Sequence, residues 1–213
     1  MEKKSYSIVL ILVVLAGIVG VLGFRFWQVK KVEKTPFLPK EFSFSLQPPS
    51  EALTGKLIEV KGEVKKESRN DEEFQEVEEG KEILDGEKLA TRKDSKAVIE
   101  FPGFAEVTLD SDSETTFVNL IPSGFLISQS LGSVTYKLWQ DNTPLSVRSL
   151  YALLTIDSGE SEVMVKEEEI SIKILSGKAK LALVDLENET HIWKLEEGQK
   201  ALIDNAERRV EIK

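Results

Sequence analysis

From Gly55 onward, apolar residues recur at every second position, and that period decides what the chain can build. Ala105, Val107 and Leu109 alternate with Glu106, Thr108 and Asp110; Val134, Tyr136 and Leu138 alternate with Thr135 and Lys137. Ile170, Ile172 and Ile174 do the same with Ser171 and Lys173. Successive side chains of an extended strand point to opposite faces, so this alternation describes strands with one dry and one wet face. β-branched residues are frequent, and Pro102-Gly103, Pro122-Ser123-Gly124 and Ser158-Gly159 punctuate the runs as turns. The pattern predicts an all-β, elongated domain of short antiparallel strands and repeated hairpins, built as a two-layer sandwich or a solenoid-like stack. Residues 71–81 alone have helical potential, but they are acidic and poorly amphipathic and read as a loop. The run Lys166-Glu-Glu-Glu169 reads as a charged hairpin tip, which also shields a strand edge.

The strand pattern contains a repeat. Ile58-x-Val60-x-Gly62-x-Val64 precedes Val77-Glu-Glu-Gly80, and Ile172-x-Ile174-x-x-Gly177-x-Ala179 precedes Leu195-Glu-Glu-Gly198. The reading places Gly62 and Gly177 at equivalent hairpin turns, with a second glycine turning each chain segment into its next strand. A weaker third copy begins at Leu131-Gly132-Ser133-Val134.

Ahead of the strands, Ser5–Phe24 is an uncharged run of 20 residues closed by Arg25. As a helix it would be about 30 Å long, the thickness of a bilayer's hydrocarbon core. Lys3 and Lys4 before it also suit a cleaved signal peptide, but signal cores are shorter and Val21-Leu22-Gly23 is a poor cleavage site. Phe26 and Trp27 follow as an interfacial belt. The expected organisation is a short cytoplasmic tail over 1–5, a transmembrane helix over 6–27, a proline-rich juxtamembrane linker over 28–54 and a β domain over 55–213. Within the linker Phe42, Phe44 and Leu46 alternate with serines, which also suits an edge strand.

Residues 1–50 hold seven of the 28 Lys and Arg and three of the 37 Asp and Glu, so the rest of the chain carries a surplus of 13 acids. So acidic a domain lacks the basic footprint that nucleic acid requires, and no nucleic-acid partner is expected. With no cysteine in the chain, disulfides, thiolate nucleophiles and Cys-ligated metals are excluded.

Several segments resemble the FecR-type extracytoplasmic domain. They are Gly55-Lys-Leu-Ile-Glu-Val-Lys-Gly62-Glu-Val64, Val77-Glu-Glu-Gly80, Leu84-Asp85-Gly86-Glu87-Lys88-Leu89-Ala90-Thr91 and Ser95-Lys-Ala-Val-Ile-Glu-Phe101. Leu131-Gly132-Ser133-Val134, Leu145-Ser-Val147-Arg-Ser149 and Val163-Met-Val165 extend the likeness over residues 55–205. The chain departs from that family where Pro102-Gly103 replaces an Asp-Gly turn and where Ser158–Val163 replaces a Gly-Thr-x-Phe pattern. FecR-type regulators of sigma factors carry a cytoplasmic segment before their membrane helix, whereas Met1–Ser5 would be too short to bind a sigma factor. The resemblance implies a membrane-anchored sensing or binding domain outside the cytoplasm. A count of flanking lysines and arginines alone would place the domain inside, but long domains translocate regardless of that count.

Catalytic candidates are few. His191 is the sole histidine, and no Gly-x-Ser-x-Gly or similar signature accompanies it. Asp110-Ser-Asp112-Ser-Glu114 offers carboxylates at alternate positions but lacks the spacing of a calcium loop and reads as a solvated turn. Tyr136, Trp139, Tyr151 and Trp193 could form a glycan platform, although core packing suits them better. The expectation is therefore a non-enzymatic module without catalytic residues, metal or cofactor, single-pass in the cell membrane with its N-terminus inside and its domain outside. Its partners are the membrane and an envelope protein or polymer. The alternative is a structural or assembly component of a membrane-associated complex.

Overall fold

A computed structural model describes residues 51–69, 73–139 and 143–213. The expected membrane helix over 6–27 and all of the expected linker except 51–54 lie outside them. Among the described residues no helix is long and apolar enough to cross a membrane.

In chain order the strands are β1 (Gly55–Lys61), β2 (Val64–Glu67), β3 (Phe74–Glu76), β4 (Glu82–Ile83), β5 (Lys88–Thr91), β6 (Lys96–Phe101), β7 (Ala105–Leu109) and β8 (Glu114–Asn119). A single 3-10 turn at Pro122–Gly124 precedes β9 (Leu126–Leu138), β10 (Leu145–Ser149), β11 (Ala152–Val165) and β12 (Glu169–Val184). The last three are β13 (Thr190–Glu196), β14 (Lys200–Asp204) and β15 (Arg209–Ile212). All belong to one hydrogen-bonded sheet.

Three long strands change neighbours halfway, and this folds the sheet over. Leu126–Leu131 of β9 pairs with β8 and β10, whereas Gly132–Leu138 pairs with β7 and β11. β11 turns from β10 to β9 near Ser158, and β12 turns from β14 to β13 near Ser176. One leaf therefore runs β4-β1-β6-β7-β9-β11-β12-β14-β15, and the other β3-β2-β5-β8-β9-β10-β11-β12-β13. Their apolar faces share a single buried cluster. Across it, Phe101 of β6 lies 5.8 Å from Phe117 of β8 and 5.0 Å, edge-on, from Phe125. Each such ring, fully buried, contributes roughly 1.5–3 kcal/mol of transfer free energy. Ala52 and Leu53 also pack on this core, and the Leu53 amide donates to the Leu120 carbonyl at 2.9 Å.

The folds in the long strands fall at glycines. Gly159 of β11 and Gly177 of β12 lie opposite each other with φ of 83° and 80°. A side chain on either would meet the backbone carbonyl of Ser176 or Ser158 and would be held in a left-handed conformation. Two other corners share a serine latch. The buried Ser95 hydroxyl donates to the Lys93 carbonyl and accepts from the Glu63 amide at 2.9 Å, beside Gly62. The buried Ser113 hydroxyl likewise accepts from the Ser133 amide at 3.0 Å, beside Gly132.

The repeat is present in the backbone. The Leu57 amide donates to the Lys81 carbonyl at 2.9 Å and the Gly80 amide to the Leu57 carbonyl at 2.8 Å. In the second half, Ile174 donates to Gln199 at 3.0 Å and Gly198 to Ile174 at 2.9 Å. The register continues alike, Lys56 opposite Glu82 and Lys173 opposite Lys200. Gly62 and Gly177 hold matching places, but not as hairpin tips. Each marks a corner where the chain passes between leaves, and the hairpins turn farther on, between β2 and β3 and at Asp185–Glu189.

Two further expectations are corrected. The sheet is mixed, because β9 and β10 pair in parallel through Leu126–Ser128 and Ser146–Arg148. β9 leaves the second leaf at its corner, and the chain must cross back before β10 can resume beside the start of β9. Residues 71–81 are not all loop, since Phe74–Glu76 forms β3 against β2.

Candidate functional site

The two leaves end together at β13 and β15, and a groove of about 540 Å³ lies between these outer strands. Its walls include Asp185, His191, Trp193, Arg208, Arg209 and Val210. Alternation places His191, Trp193 and Leu195 on the inward face of β13, opposite the buried Leu183, Leu181 and Ala179 of β12. Leu195 is buried, Trp193 half-buried and His191 exposed, so the core thins toward the hairpin tip.

That tip is organised by Asp185. Its Oδ1 accepts the Glu187 and Glu189 amides at 3.0 and 2.8 Å, and its Oδ2 lies 2.7 Å from His191 Nε2. The His191 ring, followed by the Glu189 amide, holds the Asp185 carboxyl below the ordinary carboxylate range. The His191 and Trp193 rings lie 5.8 Å apart.

The opposite wall is the turn between β14 and β15. Arg208 adopts a left-handed backbone with φ of 49°, lies 4.6 Å over the Tyr151 ring and donates to the Asp185 carbonyl at 3.2 Å. The Tyr151 hydroxyl donates to Asn205 Oδ1 at 2.7 Å, and the Asn205 amide nitrogen donates to the Lys166 and Glu167 carbonyls. Burial raises the Tyr151 hydroxyl's pKa despite the nearby guanidinium. Planar cations, an indole face and carboxylates thus border one groove, which suits a polar ligand with an apolar face.

The sequence candidates separate. His191 has a carboxylate partner, but among the described residues no serine, threonine or cysteine lines the groove beside the pair. Asp185, Glu189 and His191 bring three ligand-type atoms within 4.8 Å, the only such cluster among the described residues. Both Asp185 oxygens are already engaged in closing the hairpin, so the cluster is a turn clamp. Asp110, Asp112 and Glu114 span the corner between β7 and β8, where Asp112 has φ of 55°, so they do not share a strand face. The four aromatics form no common platform. Tyr136 is in the core with its hydroxyl on Gln129 Oε1 at 3.0 Å, Trp139 follows β9, and only Trp193 and Tyr151 approach the groove.

Sequence reasoning missed a buried acidic network. Asp85 Oδ1 accepts the Leu120 amide at 2.8 Å, and Arg69 reaches Oδ2 at 3.5 Å across Gly86. Glu87 accepts the Lys66 ammonium at 2.8 Å and the Leu84 amide at 2.9 Å. The Asp-Gly pair inside Leu84–Thr91 was its sequence signal. Arg208 and Arg209 had none beyond a charged turn.

No protein-family model matches this chain, and no curated protein matches it in sequence. Solved structures do share its fold. Two crystal structures of a putative anti-sigma factor from Parabacteroides distasonis ATCC 8503, at 2.50 and 1.65 Å resolution, match with TM-scores of 0.52 and 0.50. Identity is 14% in both, over 59% of this chain and 58% of theirs. The chain thus spans under two thirds of those chains' length, and the likeness is one of fold.

Proposed function

We propose that this protein is a sensory or binding module related to FecR-type regulators, held by Ser5–Phe24 at the outer face of the cell membrane. The observation that carries this reading is the β fold shared with the anti-sigma-factor structures. The FecR-like segments between Gly55 and Phe101 support it independently, because they map onto the corners, latches and acidic network that build the fold. In this reading the module has no catalytic activity, and the exposed hairpin turn at Asp185–Glu189, beyond the end of β13, meets an envelope protein or polymer.

The test places a photo-crosslinking residue at Leu186, 58% exposed at the groove's rim, in the full chain in cells. Protease is added to spheroplasts in parallel. The proposal expects the chain in the membrane fraction after an alkaline wash, domain digestion by external protease, and a discrete envelope adduct from Leu186. A protected domain would overturn the extracytoplasmic placement. Adducts only to cytosolic proteins would overturn the sensory role.

A further inference from the structure

The two ends of the folded sheet are finished differently. At one end the outer strands are β3 and β4, of three and two residues, set among Glu76, Glu78, Glu79 and Glu82. Short, charged edges of this kind block edge-to-edge pairing. At the other end β13 runs seven residues and β15 four, and among the described residues each pairs with one neighbouring strand only. Neither contains proline, and their pairings with β12 and β14 show no register shift. Ile192 is 67% exposed on this edge, and Trp193 and Val210 pack against a core left uncovered between them.

We infer that this end is the contact surface for a second copy of the chain, joined by antiparallel pairing of β13 with β13 and β15 with β15. A two-fold axis perpendicular to both leaves keeps inward residues opposite inward residues. Centred on Trp193, it sets Thr190 opposite Glu196, His191 opposite Leu195 and Ile192 opposite Lys194 of the second copy, with no like charges facing. Centred on Val210, it sets Arg209 opposite Glu211 and Glu211 opposite Arg209, two complementary pairs. Trp193 and Val210 line one groove, so a single axis serves both leaves. Among the described residues Arg209 forms one ion pair, with Glu207 of its own chain, an exposed pair at 3.1 Å that leaves it free to turn. The paired copies form one continuous two-leaf sheet and close the groove over both indoles. Head-to-tail stacking is disfavoured, since β3 and β4 are too short to cover β13 and β15. The inference is independent of any signalling role.

The experiment is sedimentation of the detergent-solubilised full chain. Wild type is expected to be dimeric, R209E to weaken the dimer by about tenfold or more through two like-charge contacts, and R209E/E211R to restore it. Because the chain has no cysteine, oxidising a mixture of I192C and K194C chains gives a second readout. The mixture should form more disulfide-linked dimer than either chain alone, and Gln75→Cys at the opposite end should form none. A monomeric wild type, a dimer indifferent to R209E, failure of the charge swap to restore it, or equal linking through Gln75→Cys would each overturn the inference. Indifference to R209E would assign any dimer to another surface.

Discussion

A side chain at Gly159 would point at the Ser176 carbonyl while its backbone stayed left-handed, whereas Gly103, with φ of 70°, has open space around it. Gly103→Ala should therefore cost only the conformational penalty, about 1–2 kcal/mol. Gly159→Ala should cost about 3 kcal/mol or more, because the facing strand must also move. Urea midpoints at unchanged slope will separate the two. The Asp185 carboxyl makes a second residue-scale prediction. Its folded pKa is depressed, so its stabilisation is complete above the unfolded value and is lost as pH falls through the folded one. His191→Ala should raise that folded value toward the ordinary carboxylate range, read from the Glu187 and Glu189 amide resonances during an acid titration. An unchanged titration would show that the ring does not set it. Glycines as turn residues were visible in the sequence, but Ser95 and Ser113 were not. A serine's hydroxyl declares its partner only once two corners are brought together.

At the scale of elements, the turn between β4 and β5 depends on acids that few folds would bury. Glu87 is nearly inaccessible, and Lys66 beside it is mostly covered. Glu87→Ala removes the partner of a largely buried ammonium and of the Leu84 amide, so a loss of about 3 kcal/mol is expected in chemical denaturation. A loss under 1 kcal/mol would mean that water replaces the carboxylate. The strands themselves were legible, because period-two alternation needs no tertiary information. Their pairing was not. The parallel contact between β9 and β10 arises because β9 spends half its length in each leaf, and the change of phase at its corner, from Ile127 and Gln129 to Val134 and Tyr136, does not say which strands lie on either side. The Glu-Glu-Gly turns were found by their repetition, and the same hydrogen bonds recur at Leu57 and Ile174.

For the whole molecule, three strands shared between leaves and one core bind the two repeat halves together. Residues 51–213 should therefore unfold in a single transition, with calorimetric and van't Hoff enthalpies equal. Two resolved transitions would show that the halves are stable separately. The acidic surplus and the Ser5–Phe24 run act at this scale too, through solubility and the proposed attachment to a membrane.

Composition and periodicity alone determined that this chain forms strands, where most of them lie, and that two segments repeat. Those are local properties, set by which faces of an extended backbone are apolar and which residues tolerate a turn. The tertiary structure decided which strands pair, which glycines are corners rather than hairpin tips, and that Asp185, Trp193 and Arg208 border one groove. These depend on contacts between residues far apart in the chain, whose free energies exist only after the sheet has folded over on itself.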